Sequence, residues 1–184
     1  MGENMKKVAV LFANGFEELE AVGTYAILRR GGLDTDVYAL DGQNSTGRFG
    51  LTCGPLHSFA NLNASQYDAL VLPGGPGYEL LEKNERVQQL ITHFITKGKV
   101  VAAICASPTI LGRAGYLKGK TYTCFTPMNE DFGGTFTGEY VAVDDNLITG
   151  QSAAATVDFG LAIIEKLLGP EKADQVKKSV FYKK

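Results

Sequence analysis

Lys99-Val-Val-Ala-Ala-Ile-Cys105-Ala-Ser-Pro-Thr-Ile-Leu111 joins a short apolar run directly to a helix-start signal. Residues 100–104 are wholly apolar, which predicts a strand buried on both faces, as in a parallel sheet. Ser107 followed by Pro108 is typical of a helix start, with a capping side chain and then proline in the first turn. Cys105 therefore falls in an abrupt turn at the carboxyl end of a strand, where open α/β sheets place their sites.

This position makes Cys105 the first candidate nucleophile. Free backbone N–H groups and the helix dipole stabilise negative charge in such a turn, which favours thiolate over thiol. The alternative is inert packing, because free cysteine is among the most buried residue types. The residues alone leave both interpretations open.

The composition indicates an ordinary soluble globular protein. The chain has 184 residues, of which 45% are hydrophobic and 21% charged, and we predict one domain over residues 1–184 with flexible ends at 1–5 and 179–184. A net charge of −2 without a Lys/Arg run gives no signal for nucleic acid. No apolar stretch is long enough for a membrane span, and the start lacks the apolar core of a secretory signal. Three widely spaced cysteines do not form a disulfide framework, so we expect a reducing cytoplasm.

Apolar strands alternate with helices along the chain, which predicts a doubly wound α/β domain. The predicted strands fall at residues 7–12, 34–40, 67–72, 100–104 and 120–125, with short edge strands at 48–53 and 56–59 and a hairpin at 139–143 and 147–149. The predicted helices fall at residues 17–30, 78–97, 108–113, 154–168 and 171–178.

Several common kinds of site are missing from the sequence. Cys53, Cys105 and Cys124 lack Cys-x-x-Cys spacing, and His57 and His93 are far apart, so we expect no metal. No phosphate loop or dinucleotide fingerprint is present, and we expect no cofactor. Both histidines precede Cys105, and His57 lies near an edge strand, which argues against a Cys-His dyad. His93 lies off the apolar face of its predicted helix, so we expect it to be exposed.

A carboxylate remains as the partner of Cys105. The helix that begins near Glu17 starts at the same sheet edge as Cys105, so Glu17, Glu18 or Glu20 is expected to point over the thiol. A protonated glutamate there donates a hydrogen bond to a thiolate and moves protons for a carbonyl substrate. The alternative is that all three glutamates complement the helix dipole.

Four motifs together resemble the ThiJ/PfpI superfamily, in the branch of the parkinsonism-associated protein deglycase. They are Phe12-Ala-Asn-Gly-Phe-Glu-Glu-Leu-Glu20, Leu70-Val-Leu-Pro-Gly-Gly75, Ala102-Ala-Ile-Cys-Ala-Ser-Pro108 and Val157-Asp-Phe-Gly-Leu-Ala-Ile-Ile164. The resemblance implies a flavodoxin-like three-layer sandwich of the class I glutamine-amidotransferase-like kind, with a mostly parallel sheet, helices on both faces, and usually a homodimer.

The resemblance also implies roles for individual residues. Cys105 matches the family's reactive cysteine on a strained nucleophile elbow, and Glu20 matches the carboxyl that hydrogen-bonds to its thiol. Gly75 and Ala106 match the backbone donors that face a developing oxyanion, and Gly74 lies beside them. Cys53 matches a family cysteine near the dimer interface, where we expect it to pack.

Three positions depart from the family patterns. Ala106 stands where the protease-like branch has histidine, which argues against peptidase activity. Thr126 stands where the human-type branch has a histidine near the thiol. Residues 152–154, Ser-Ala-Ala, replace a Gly-Pro-Gly loop near the pocket, so we expect a different substrate shape.

We therefore expect a cytoplasmic, cofactor-free enzyme that acts on small α-oxoaldehydes, methylglyoxal or glyoxal, or on their early adducts with amines and thiols. The rival interpretation is a redox-sensing or chaperone-like protein in which Cys105 oxidises to sulfinate and Glu20 holds the oxidised group. Both use the same two residues. A role in thiazole or thiamin-related metabolism is less favoured, because no phosphate-binding motif is visible.

Overall fold

The computed structural model describes residues 5–183. Its main sheet contains β1 (Lys7–Phe12), β2 (Asp34–Ala39), β5 (His57–Ser58), β6 (Ala69–Leu72), β7 (Val100–Ile104), β10 (Val141–Asp144) and β11 (Leu147–Gly150). Two small pairs lie outside this sheet, β3 (Ser45–Thr46) with β4 (Thr52–Cys53) and β8 (Thr121–Tyr122) with β9 (Thr135–Phe136). The α-helices are α1 (Thr24–Arg30), α2 (Tyr78–Lys83), α3 (Glu85–Thr96), α4 (Pro108–Arg113), α5 (Thr156–Leu168) and α6 (Pro170–Ser179).

The sheet has the order β10-β11-β7-β6-β1-β2-β5, and every neighbouring pair is parallel except β10 and β11. β1, β6 and β7 lie at its centre, and their residues are almost all buried. Such strands read as continuous apolar runs because helices cover both of their faces. The predicted mostly parallel, doubly wound α/β fold is confirmed.

Two apolar layers flank the sheet, because successive strand residues point to opposite faces. On one face, Leu70 and Val101 pack with Leu81 of α2 and Phe94 of α3. On the other, Val71, Ala102 and Ile104 of the sheet pack with side chains from α1, α5 and α6, including Ile27, Leu28, Phe159, Ile164 and Val176. Burial of each large side chain contributes roughly 1.5–3 kcal/mol, so these layers hold the strand ends that carry the site.

Several sequence-based element boundaries are wrong. Of the edge strand predicted at 48–53, only β4 forms, and it pairs with β3 outside the main sheet. The helix predicted at 78–97 is interrupted at Asn84, whose side chain accepts the Val87 N–H at 3.1 Å and caps α3. The helix predicted from Glu17 begins at Leu19 with a π-helical turn, Leu19–Gly23, that leads into α1. The strand predicted at 120–125 is limited to β8, because the chain then turns to bond to the loop after β7.

Other details concern the ends of the chain and the surface. Of the predicted flexible ends, residues 1–4 and 184 lie outside the described residues, while the Tyr182 hydroxyl bonds to the Asp158 carboxylate on α5. His93, expected to be exposed, is half-buried with its Nε2 atom shielded from solvent. Within residues 5–183, no helix has the length and apolar character needed to cross a bilayer.

Candidate active site

The turn between β7 and α4 holds Cys105 in a strained backbone conformation. Its φ angle is 65°, in the left-handed region that residues other than glycine rarely adopt. The Cys105 N–H donates to the Gly150 carbonyl of β11 at 2.9 Å, and the Cys105 carbonyl accepts the Phe125 N–H at 2.8 Å. Bonds on both sides of the residue fix the turn, and strain of this kind concentrates at functional sites.

Ser107 ties this turn to the loop after β6 and does not cap α4, which corrects the expectation from the sequence. Its backbone is helical and its hydroxyl donates to the buried carbonyl of Pro73. Helix α4 still begins at Pro108, as predicted. The hydrogen bond joins the two strand ends, β6 and β7, that bring Gly74, Gly75 and Cys105 together.

The structure distinguishes the three candidate glutamates by their contacts. Glu17 accepts the Glu20 N–H through Oε2 at 2.7 Å, and Glu18 accepts the Phe49 N–H through Oε1 at 2.8 Å. Both carboxylates therefore fix backbone. Only Glu20 is fully buried, with 1% of its surface exposed, and its Oε1 accepts the Gly74 N–H at 3.1 Å. Glu20 is the carboxyl that meets the Cys105 thiol.

Glycines 74 and 75 allow the loop after β6 to approach the thiol closely. A Cβ atom on Gly74 would lie 2.6 Å from both Cys105 Cβ and Glu20 Oε1. Gly75 has a φ angle of 89°, and a Cβ there would lie 2.5 Å from the Glu17 nitrogen. The backbone N–H groups of Gly75 and Ala106 lie near the Cys105 sulfur and act to lower the pKa of its thiol. The residues named for an oxyanion pocket are thus brought to one point.

Burial changes the proton affinities of this pair. It raises the pKa of the Glu20 carboxyl to about 7, a shift that the contact with the Cys105 thiol partly opposes. Burial and then the Glu20 charge raise the pKa of the Cys105 thiol to about 12, against the Gly75 and Ala106 N–H groups, which lower it. The expectation of an acidified thiol considered only the N–H groups and the helix dipole. Because protonation of Glu20 removes its charge, the two groups titrate as one coupled unit.

The Glu20 carboxyl keeps one oxygen available. Oε2 is buried and has no hydrogen-bond partner within residues 5–183. The Glu20 carboxyl nevertheless lies close enough to the Cys105 thiol for each to affect the pKa of the other. A buried polar atom without a partner is unfavourable by about 1–3 kcal/mol. A protonated carboxyl in this place has its O–H free for a sulfur or a substrate oxygen.

A cavity of about 400 Å³ opens above the thiol. Glu20, Cys105 and the backbone of Gly75 and Ala106 form its floor. Its remaining walls are formed by Glu17, Arg48, Pro76, Tyr78, Glu79, Phe125, Met128, Ser152 and Ala153. The cavity has the size typical of small-molecule sites, and it mixes apolar walls with a few polar groups.

The family departures take separate places around this cavity. Ser152 and Ala153 line it, while Thr126 does not and instead accepts the Gln151 side-chain amide at 3.3 Å. His57 is exposed on the edge strand β5, 3.7 Å from Asp36. Neither His57 nor His93 lines the cavity, so the structure contains no imidazole beside Cys105 within residues 5–183.

Two expectations concern groups outside the cavity. Cys53 lies in a separate groove of about 470 Å³ between α1 and the β2–β5 edge. Over the described part of the chain, no cluster of three His, Cys, Asp or Glu side chains is arranged to hold a metal ion.

Sequence reasoning missed several walls of the cavity. Arg48 and Tyr78 come from a loop and a helix start that carry no motif, and Phe125 and Met128 follow a strand that was predicted too long. The Thr-Pro pair at 126–127 was the available signal, because proline disfavours a continuing ladder and restricts the residue before it.

The sheet order and this turn, a left-handed cysteine between strand and helix with a carboxyl facing it, define an α/β protein with a strained turn at the edge of a mostly parallel sheet. The DJ-1/PfpI family model matches residues 6–166, and the chain belongs to this family. The crystal structure of Drosophila melanogaster DJ-1beta has a TM-score of 0.91, 31% identity, and coverage of 98% of this chain and 100% of that chain.

Curated relatives include plant and archaeal proteins. Protein DJ-1 homolog B from Arabidopsis thaliana is 32% identical over 96% of this chain and 41% of its own length, so the chain spans less than half of that relative. Deglycase PfpI from Pyrococcus furiosus is 32% identical over 79% of this chain and 89% of its own length. The ThiJ/PfpI assignment made from the four motifs is confirmed.

Proposed function

We propose that this chain is a cysteine-dependent enzyme that converts α-oxoaldehydes, methylglyoxal or glyoxal, or their early glycation adducts, into hydroxy acids. The observation that carries the proposal is the meeting of Cys105, the buried Glu20 carboxyl and two backbone N–H groups at the floor of one cavity. Relatives named deglycases at about 32% identity support the substrate class.

The reaction begins with addition of the Cys105 sulfur to the aldehyde carbon. The S–C bond forms, the aldehyde oxygen becomes an oxyanion, and the Gly75 and Ala106 N–H groups stabilise it. The thiol and Glu20 titrate as one coupled unit, so the carboxylate accepts the proton that the thiol releases. The oxyanion then takes up a proton, which gives a hemithioacetal.

Glu20 then moves protons between carbon and oxygen. It removes the hydrogen from the former aldehyde carbon and returns a proton to the neighbouring carbonyl carbon. The hemithioacetal hydroxyl loses its proton and becomes the thioester carbonyl, while the neighbouring carbonyl oxygen takes up a proton and becomes a hydroxyl. The former aldehyde carbon is thereby oxidised and its neighbour reduced, so no external electron acceptor is needed. Water hydrolyses the resulting thioester, which releases the hydroxy acid and restores the thiol. For an adduct, the bond from the aldehyde carbon to the amine nitrogen or thiol sulfur breaks first, and the amine or thiol leaves with the hydroxyl proton, which restores the aldehyde that Cys105 attacks.

The first experiment follows lactate formation from methylglyoxal by the parent, Cys105→Ala and Glu20→Gln proteins. We expect lactate from the parent and none above background from Cys105→Ala. Equal turnover by Cys105→Ala and parent contradicts the role of Cys105. A preformed methylglyoxal–amine adduct, tested with a scavenger of free dicarbonyl, distinguishes direct release of the amine from removal of free dicarbonyl.

A second candidate function is an oxidative-stress sensor, and the free Oε2 of Glu20 supports it. In this function, peroxide oxidises the Cys105 thiol to a sulfinate. The protonated Glu20 carboxyl then donates a hydrogen bond to a sulfinate oxygen. Negligible turnover on every dicarbonyl, together with selective peroxide oxidation of Cys105, favours this function over the enzyme.

A further inference from the structure

Arg113, which belongs to no motif found in the sequence, links two walls of the Cys105 cavity without lining it. It lies at the end of α4, the helix that starts three residues after Cys105. Its Nη1 donates to the two Glu82 carboxylate oxygens at 3.0 and 3.2 Å, and its Nη2 donates to Glu130 Oε1 at 2.8 Å. One guanidinium therefore binds two carboxylates from different parts of the chain, a use of its fixed planar geometry that lysine does not reproduce.

Each carboxylate belongs to an element that lines the cavity. Glu82 lies on α2, whose first residues, Tyr78 and Glu79, form one wall. Glu130 ends the wall segment, residues 125–130, in which Phe125 and Met128 line the cavity. Arg113 thus joins α2, α4 and the wall segment without itself lining the cavity.

The wall segment has few other supports. It is bonded at its start, through the Phe125 N–H, to the Cys105 carbonyl, and in its middle the Thr126 hydroxyl accepts the Gln151 side-chain amide at 3.3 Å. Near its end, the Tyr122 hydroxyl contacts Asn129 Oδ1 at 2.7 Å and the Glu130 carbonyl at 3.3 Å. Between these points it forms a single 3₁₀ turn, Thr126–Met128, none of whose residues is buried. Segments with few buried apolar contacts open locally at low free energy, so one ion pair makes a measurable difference to such a wall.

We propose that Arg113 is a positioning residue that holds the wall segment against α2 and so sets which molecules reach Cys105. Loss of the guanidinium widens the entrance without changing the thiol's own surroundings, because Arg113 does not line the cavity. The proposal rests on the proposed function for its effect on turnover. Its effect on access to the thiol is independent of any catalytic activity.

The experiment measures alkylation of Cys105 by a small reagent, iodoacetamide, and by a bulky one, fluorescein maleimide, with the modified residue identified by mass spectrometry. In Arg113→Met we expect the ratio of bulky to small rates to rise about fivefold, the factor corresponding to an exposed ion pair of about 1 kcal/mol. Glu130→Gln, which frees only the wall segment, raises the ratio in the same direction, and Arg113→Lys gives an intermediate value.

Lys120→Met is the matched control. Lys120 pairs with Asp144 at 3.6 Å, with side chains 35% and 27% exposed, against 34% and 26% for Arg113 and Glu82. The substitution Lys120→Met removes one positive charge at a similarly exposed position, and Lys120 does not take part in the Arg113–Glu130 ion pair. We therefore expect the parent's ratio of bulky to small alkylation rates. A ratio in Arg113→Met and Glu130→Gln equal to that of Lys120→Met overturns the proposal, as does an equal change in both alkylation rates.

Turnover gives a second readout. With a bulky amine adduct of methylglyoxal, Arg113→Met is expected to lower KM relative to the KM for methylglyoxal itself, with kcat unchanged, because the wider entrance admits the larger molecule. A fall in kcat with unchanged KM contradicts positioning by Arg113. If the parent shows no turnover but Arg113→Met still changes the alkylation ratio, the proposed function is contradicted and the role of Arg113 is supported.

Discussion

Cys105 and Cys124 lie in adjoining segments, since the residue after Cys124 donates its N–H to the Cys105 carbonyl. Burial raises the pKa of both thiols, to about 12 for Cys105 and about 11 for Cys124. Cys124 is fully buried in an apolar cluster, and its thiol donates to two oxygen acceptors, the Phe125 carbonyl at 3.6 Å and Asn129 Oδ1 at 3.9 Å. Cys105 has N–H donors, a protonatable carboxyl and an open cavity.

The difference shows that the surroundings, not the residue type or its burial, define the candidate nucleophile. Acceptors around Cys124 favour its neutral S–H form, whereas the N–H groups around Cys105 stabilise a developing negative charge. The left-handed turn at Cys105 exposes the sulfur to those donors. The contrast predicts different outcomes for the same substitution at two neighbouring positions.

The largest expected effect is that of removing each thiol. Cys105→Ala is expected to lower turnover on methylglyoxal by at least about 10³-fold, because the covalent step is lost. Cys124→Ala keeps parent turnover and lowers the free energy of unfolding by about 1 kcal/mol, through lost packing. Rates and urea unfolding curves measured on the same preparations check both, and equal loss of turnover in the two variants removes the distinction.

The next effect concerns the pH dependence of stability. Because the folded-state pKa of Glu20, about 7, lies above its ordinary 4.5, the native state holds a proton that the unfolded state has lost. The stability from this group is complete below pH 4.5 and is lost as the pH rises through 7. Glu20→Gln removes that loss, so its free energy of unfolding relative to the parent should rise by about 2.5 kcal/mol from pH 5 to pH 8.

Urea unfolding of both proteins at several pH values measures this difference. A difference that stays level between pH 5 and pH 8 means that Glu20 is ionised throughout and contradicts its elevated pKa.

How far the sequence predicts this site follows from the range of each interaction. Residues 100–108 predicted the β7–α4 turn and Cys105 within it, since apolar strands and helix starts are local signals. The choice among Glu17, Glu18 and Glu20 stayed open until the family motif was considered. It depends on which carboxylates bind the backbone of Phe49 and Glu20, contacts that only the folded chain creates.

The raised thiol pKa and the Arg113 contacts were also outside the reach of local patterns. The pKa depends on burial by distant elements. Glu82, Arg113 and Glu130 are separated by up to 48 positions in the sequence, and nothing in their spacing marks them as partners. The thiol pKa and the Arg113 ion pairs depend on contacts between distant parts of the chain, whereas the layers of the fold follow from the local pattern of apolar residues.

A smaller effect is expected at Gly74. Gly74→Ala places a Cβ 2.6 Å from both Cys105 Cβ and Glu20 Oε1, so the loop or the pair must shift, which destabilises the fold by about 1–3 kcal/mol. Turnover falls because the carboxyl and the sulfur separate. Gly42→Ala is the control, since Gly42 has a φ angle of 66° with nothing within 4 Å, and it reports backbone strain alone.

Thermal unfolding and turnover are measured for Gly74→Ala, Gly42→Ala and the parent. We expect loss of activity in Gly74→Ala only. Full activity in Gly74→Ala shows that close approach of this loop to the pair is not required.

The most direct measurement is a carbon-13 NMR titration of the Glu20 side-chain carboxyl, assigned by comparison with Glu20→Gln. The account predicts an apparent pKa of about 7 in the parent, with the elevation kept in Cys105→Ala because burial is its main cause. An apparent pKa near 4.5 in the parent means that the carboxyl beside Cys105 carries no proton at neutral pH, and contradicts the account.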